Sequence, residues 1–360
     1  MDPIITGMVG YGGSGKYFHA PFLKENPGFH FKSIVERNHK QAELDYPGLQ
    51  SLSDFDFLIA DPQIELVVIT TPNQTHFALA LRAMQAGKHV IIEKPFTSNT
   101  MEALELIKIS RERNLFLGVY QNRRLEGDFL TIQKIIQDGL IGDIVEFESH
   151  FDRFRPGFNV KAWKEIKSPG TGLVFDLGSH LIDQALVLFG LPEYVSATIK
   201  ALRPHSNVDD YFFIRLEYPG KEIFLRSSIF VKMEGPRFIL HGKKGSYIKY
   251  GVDIQEKLLM AGQKPIKPDW APEPKEFHGE IHTQVNGLDF YGKIPSITAS
   301  YMSFYDMVYK RIRENIPFPI KPEQAYHTIR IIELAIESSQ QKKSIPYSCP
   351  ENLRNSFSLV

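Results

Sequence analysis

Residues Ile4-Ile5-Thr6-Gly7-Met8-Val9-Gly10-Tyr11-Gly12-Gly13-Ser14-Gly15 decide how the chain is read. Ile4 to Val9 reads as a short buried strand. Gly10 to Gly15 is a G-x-G-x-x-G run, and a helical pattern follows from Lys16 to Asn26. The run alone also fits a mere tight turn. Between a strand and a helix it fits a phosphate cradle. The first glycine permits the turn, the second lets backbone approach a pyrophosphate, and the third lets helix and strand pack closely. A helix N-terminus adds N–H groups and the positive end of a dipole. Glu36 ends the second strand, about twenty positions on, where a carboxylate reads ribose hydroxyls. Together these features predict dinucleotide binding, with Gly10, Tyr11, Gly12, Ser14 and Gly15 at the phosphates and Glu36 and Arg37 at the adenosine.

Outward from that stretch, short apolar runs alternate with helical patterns. Strands are predicted at 30–35, 66–70, 89–93 and 116–121, and helices at 16–26, 53–59 (capped by Ser53), 74–86 and 100–114. Such alternation means a parallel sheet with helices on both faces. After Asn122 the pattern changes. A helix at 129–138 precedes a stretch from Asp143 to Phe154 with period two: Val145, Phe147, Ser149 and Phe151 on one side, Glu146, Glu148, His150 and Asp152 on the other. That alternation belongs to an open-faced, mostly antiparallel sheet. Further strands are predicted at 194–202, 211–218, 222–230, 237–240 and 247–249, with helices at 175–189, 300–314 and 323–339 and a loop at 260–274. The fold class is α/β: a doubly wound Rossmann domain over 1–122, then an α+β domain over 123–350, with the late helices free to pack back on the first.

Composition narrows the function. The chain has 360 residues, 42% of them hydrophobic, which suits a folded globular protein rather than a disordered one. Lys+Arg and Asp+Glu are equal at 42 each, so there is no basic surplus to displace counterions from nucleic acid. The pairs Arg123-Arg124, Lys243-Lys244 and Lys342-Lys343 read as solvated surface. Cys349 is the only cysteine, which excludes an intrachain disulfide and a cysteine-based metal site. A reducing compartment fits. Met1-Asp2-Pro3 lacks a basic n-region, and no apolar run reaches the ~20 residues of a membrane span. A soluble, cytoplasmic protein is expected, with no membrane or nucleic-acid partner.

Three further motifs carry chemistry. Thr70-Thr71-Pro72-Asn73-Gln74-Thr75-His76 follows a parallel strand, where ligands of such sheets sit, although Asn73 also suits a plain helix cap. Glu93-Lys94-Pro95 ends the next strand. Pro95 fixes the chain direction, so Lys94 is held at the cleft edge as a cation for a substrate oxygen. Gly170-Thr171-Gly172 precedes a helix bearing Asp176, His180 and Asp183. Asp176 and His180 are four apart and share a face. Histidine is the usual base near neutral pH, and a carboxylate orients it. A surface ion pair or a metal site are the other readings of that trio, and no second ligand cluster supports a metal.

The ordered set Gly-Tyr-Gly, Thr-Pro-Asn, Glu-Lys-Pro, Gln121-Asn122-Arg123-Arg124 and Asp176…Gly178-x-His180-x-x-Asp183 resembles the Gfo/Idh/MocA family of glucose–fructose oxidoreductases and inositol dehydrogenases. The likeness covers nearly the whole chain. Asn-Arg-Arg and Gly242…Gly245-Ser246-Tyr247-Ile248-Lys249-Tyr250-Gly251 resemble most a bacterial branch that includes scyllo-inositol dehydrogenases. The resemblance implies Lys94, Asp176 and His180 as the catalytic set and a cofactor site that includes Thr71, Pro72, Asn73, His76, Glu93, Lys94 and Asn122. It also implies a homodimer or homotetramer packed through the open sheet. In that branch a small hydroxyl residue often precedes the arginine, which suits NADP. Glu36 in its place favours NAD, with NADP as the alternative.

The expected activity is oxidation of a secondary alcohol of a polyol, cyclitol or sugar by hydride transfer to a nicotinamide. Arg153, Arg155, Trp163, Arg237 and Tyr250 are candidates for the substrate rim. Two rivals share the architecture: an NAD-dependent glycoside hydrolase, and a non-catalytic dinucleotide sensor.

Overall fold

The computed structural model describes residues 2–36, 40–158, 165–267 and 269–357. By contact the chain divides into two compact units, each assembled from separate segments: Met1–Leu125 with Ile254–Ala271 and Ala299–Tyr326, and Glu126–Asp253 with Pro272–Thr298 and His327–Val360.

The first unit is built on six parallel strands, β1 (Ile4–Val9), β2 (Phe29–Val35), β3 (Gln50–Leu52), β4 (Leu66–Ile69), β5 (His89–Ile92) and β6 (Leu117–Val119). Their order is β3-β2-β1-β4-β5-β6, so the chain reverses its direction of travel between β1 and β4. In open α/β sheets ligands bind outside the carboxyl ends of strands at such a point. Leu66, Val67, Val68 and Ile69 are all buried, as a strand covered on both faces requires. The helix Thr100–Glu112 starts where Asn99 accepts the Glu102 N–H at 3.0 Å. The short helix Phe55–Ala60 is capped by Asp54, which accepts the Asp56 N–H at 2.8 Å; the sequence suggested Ser53, one residue too early. Phe22, Phe29, Phe116, Tyr120, Tyr301, Phe304, Tyr305 and Phe318 form the aromatic part of this unit's core. Each such side chain contributes roughly 1.5–3 kcal/mol by leaving water.

The second unit holds β7 (Ile144–His150), β8 (Tyr194–Lys200), β9 (Tyr211–Tyr218), β10 (Lys221–Ser228), β11 (Phe238–Gly242), β12 (Gly245–Lys249), β13 (Gly279–Val285), β14 (Leu288–Ile294) and β15 (Ile345–Pro346). They form one sheet in the order β14-β13-β12-β11-β7-β10-β9-β8-β15. Every pair is antiparallel except β7 with β10. One face is apolar and buried, with Phe147, Phe212, Ile214, Leu216, Ile223, Leu225 and Leu240.

The alternation predicted for β7 holds from Phe147 to Phe151 and fails at its start. Ile144 is buried and Val145 is 37% exposed. The cause is a register shift: His241 pairs with Glu146 but Gly242 pairs with Ile144, so Val145 is an extra residue. A bulged residue breaks the two-residue period. The hairpin β13–β14 was not foreseen. Its turn is Asn286-Gly287, both at positive φ (51° and 82°), as a tight two-residue hairpin requires. A helix at Gln255–Met260 also lies just ahead of the predicted loop.

Candidate functional site

In the first unit the segments after β1, β2, β4, β5 and β6 carry the predicted cofactor residues. Gly10 turns the chain at φ 97°, a conformation that suits glycine. Its N–H donates to the Val35 carbonyl at 3.1 Å, and its carbonyl accepts the Thr70 hydroxyl at 2.8 Å. Gly15 sits against this turn. A Cβ there would lie 2.5 Å from the Gly10 oxygen and 2.9 Å from the Thr70 hydroxyl. At Gly12 a Cβ would meet nothing within 4 Å. The turn is therefore closed underneath at Gly15 and open at Gly12. That cradle fits the pyrophosphate of a dinucleotide, with backbone N–H groups available to it.

The helix after the turn is not uniform. Gly15–His19 is a π-helical turn and Ala20–Glu25 is α-helical. Pro21 lacks the N–H that an unbroken α-helix needs there, and the Ala20 N–H reaches back to the Gly15 carbonyl instead. Tyr11 points out of the turn to Asp45 (2.8 Å), whose same oxygen also pairs with Lys16 at 2.7 Å.

Glu93 is buried and faces inward. Its carboxylate accepts the Ser14 hydroxyl, the His19 Nε2–H at 3.0 Å and the Lys94 backbone N–H at 2.8 Å. Burial pushes this carboxyl up, but the bond and charge of His19, the Lys94 charge and the Ser14 hydroxyl outweigh it, and it lies below its ordinary value. The Lys94–Pro95 peptide is cis. His19 was missed in the sequence: a histidine inside a helical pattern gives no sign of its partner.

The structure gives protein partners to several residues singled out in the sequence. His76 is 1% exposed, and its nitrogens face the carbonyls of Pro95 and Thr71, each at 2.9 Å. It braces two turns. Burial holds it below its ordinary pKa, so it is neutral and satisfies one carbonyl at a time. The Glu36 carboxylate is turned to the N-terminus of the helix Gln41–Asp45. It accepts the N–H groups of Gln41 (3.2 Å) and Ala42 (3.1 Å) and the Ser51 hydroxyl (2.8 Å). Arg123 and Arg124 are buried, not solvated. Arg123 pairs with Glu256 at 2.7 Å and Arg124 donates to Gln324 at 2.6 Å. Asn122 is buried in the same 3₁₀ turn, Asn122–Leu125. The Thr71 hydroxyl bonds that of Thr75 at 2.6 Å, the Pro72 carbonyl accepts the Thr75 N–H, and Asn73 opens a 3₁₀ turn ahead of the helix His76–Gln85. Arg37 lies outside the described residues.

In the second unit Asp176 lies in a π-helical turn, Val174–Gly178, and His180 and Asp183 lie in the α-helix Ser179–Phe189. The sequence implied one regular helix with Asp176 and His180 a single α-turn apart. The wider π turn replaces that spacing; such turns are frequent at functional sites. His180 is 4% exposed and Asp183 is buried, while Asp176 is half-buried. Among the described residues no group of three or more His, Cys, Asp or Glu is placed to hold a metal ion.

Asp209, unforeseen in the sequence, anchors the start of this helix. Its carboxylate accepts the Val174 N–H at 2.8 Å, and its carbonyl accepts the Leu173 N–H at 3.0 Å. Gly172 has φ 109°, and a Cβ there would fall on the Asp209 carboxylate. Burial pushes the Asp209 carboxyl up to about 6, partly offset by the Val174 N–H.

The predicted substrate rim divides. Arg237 is buried and donates to Ser149 and the His150 carbonyl, both at 2.8 Å, and to Gln184 at 3.2 Å. Arg155 and Tyr250 are exposed. Arg153 lies over the Phe151 ring at 5.1 Å. Trp163 lies outside the described residues.

The oxidoreductase family with an NAD-binding Rossmann fold matches residues 4–121, and the C-terminal alpha/beta domain of the same family matches 133–347. The chain is 38% identical to scyllo-inositol 2-dehydrogenase (NADP(+)) IolW of Bacillus subtilis, over 96% of each chain. The fold overlays a putative oxidoreductase yvaA from Bacillus subtilis with TM-score 0.93 at 38% identity, covering 96% of this chain and 99% of the other. It overlays a putative oxidoreductase from Bacteroides fragilis with TM-score 0.88 at 41% identity, covering 96% and 100%. With both domain models matched in order and relatives aligned over almost their full length, the chain belongs to the Gfo/Idh/MocA oxidoreductase family.

Proposed function

We propose that this protein is an NAD(P)-dependent dehydrogenase that oxidises a secondary alcohol of a polyol, cyclitol or sugar. The observation that carries the proposal is its full-length similarity to a relative whose name is that of a cyclitol dehydrogenase. A bound nicotinamide supplies the acceptor for the hydride. The chain's own groups manage the proton. His180 takes it from the hydroxyl as general base, Asp176 orients His180, and Lys94 donates a hydrogen bond to the developing alkoxide.

Glu36 favours NAD. A buried carboxylate beside the adenosine repels a 2′-phosphate whichever donors it already holds. The B. subtilis relative carries NADP(+) in its name, so the preference is a specific departure to measure.

The proposal includes a cytoplasmic homo-oligomer. The polar face of the second unit's sheet carries a Phe213–Phe224 stack at 5.7 Å beside an Arg215–Glu222 ion pair of 2.7 Å, and a second copy covers it. Light scattering measures this: a monomer across micromolar concentrations contradicts it. No helix among the described residues is long and apolar enough to cross a membrane.

The activity test is a screen of cyclitols and sugars with NAD and NADP, following reduced nicotinamide. Its appearance with one such alcohol supports the proposal. Release of an alcohol from a glycoside without net reduction assigns the NAD-dependent hydrolase instead.

A further inference from the structure

We infer that His19 is a positioning residue for the dehydrogenase reaction proposed above, acting through Glu93 to tie the glycine turn to the Lys94 turn. The inference rests on that proposal for the role of Lys94.

Glu93 holds three donors from two segments. Ser14 belongs to the glycine turn, and the Lys94 N–H to the loop after β5. His19, in the π-helical turn that follows the glycines, supplies the third at 3.0 Å. One buried carboxylate thus joins the segment that meets a pyrophosphate to the residue that presents a cation to the substrate.

The imidazole is itself fixed. Its Nδ1 lies 2.6 Å from the Tyr305 hydroxyl, which comes from the helix Met302–Arg313. Tyr305 is fully buried and keeps its proton, because burial and the nearby Glu93 charge raise it well above its ordinary value. The Glu93 carboxylate only accepts, so the hydrogen on Nε2 points at it, while the phenol holds Nδ1. The Tyr120 ring lies 4.3 Å from the imidazole and helps to exclude water. His19 is completely buried, so it touches no ligand and acts only through what it holds.

His76 offers the contrast: it also braces two loops, but through backbone carbonyls. His19 instead supports a charged group that grips a side chain of the phosphate turn.

The test uses His19→Leu, His19→Gln, Ser14→Ala and the double variant His19→Leu/Ser14→Ala. Dinucleotide affinity is read by calorimetry, with kcat and KM alongside. His19→Leu should weaken dinucleotide binding about tenfold, the size of one lost hydrogen bond to a charged group, and lower kcat. His19→Gln, whose amide N–H reaches the same carboxylate, should recover most of both. The double variant should lose less than the product of the single losses, since the two groups act through one carboxylate. If His19→Leu does not fold, His19→Asn, whose shorter amide does not reach the carboxylate, replaces it in the cycle, with the same sub-multiplicative loss expected. Unchanged binding and turnover in His19→Leu, a Gln variant no better than Leu, or purely multiplicative losses would each overturn the inference. Wild-type protein that binds no dinucleotide would instead overturn the proposed function.

Discussion

Glu36 accepts the backbone N–H of Ala42 at 3.1 Å, so the carboxylate that follows β2 also caps the helix Gln41–Asp45. The part proposed for it in cofactor choice then falls on a group with a structural task. Glu36→Ser should raise kcat/KM for NADP relative to NAD by removing a charge beside the 2′ position. It should also lower stability by about 1 kcal/mol, the usual value of a lost cap. Steady-state kinetics with both cofactors and urea unfolding check the two halves. A wild-type enzyme already more efficient with NADP contradicts the first.

Gly12 and Gly15 should fail in different ways. Gly12→Val adds atoms where a Cβ meets nothing within 4 Å, so the apoprotein should keep its Tm and lose dinucleotide binding. Gly15→Ala places a methyl 2.5 Å from the Gly10 oxygen, so it should lose stability, roughly 1–3 kcal/mol, before any ligand is added. Differential scanning fluorimetry with and without dinucleotide separates them. Equal Tm losses in both variants would refute the distinction.

Asp209 should leave a mark on the pH dependence of stability. Its carboxyl is raised from an ordinary 3.8 to about 6 by burial, so folding favours its protonated form. That contribution is complete below about pH 4 and is lost as pH rises towards 6. Asp209→Asn removes the titration. Urea unfolding at pH 4.5, 5.5 and 7 should give a stability difference, wild type minus variant, that declines with rising pH. A constant difference contradicts this.

Much of this fold is legible because its signals are local. The buried β-branched run of β4 and the glycines after β1 define the parallel sheet without reference to anything distant. What the sequence hid depends on partners. Gly279–Val285 and the edge strand Leu288–Ile294 lack the continuous buried apolar run of β4; Asn286-Gly287 between them was the available signal. The bulge at Val145 comes from its pairing with β11, not from its own residues. Arg123 looked solvated until Glu256, 133 positions away, was placed beside it. At the candidate site the motif residues were legible by type. The inward turn of Glu93, the bracing role of His76 and the existence of His19 and Asp209 as supports were not, because each is set by a partner remote in sequence.

The proposed function assigns holding the dinucleotide and moving the substrate proton to different residues, and His180→Ala separates the two. A positioned general base is worth roughly 10²–10⁴-fold in rate. Calorimetric dinucleotide affinity and kcat are measured on the same His180→Ala preparation. His180→Ala should lower kcat by about that factor and leave affinity nearly unchanged. Full turnover, or a loss of affinity as severe as that of Gly12→Val, would contradict it.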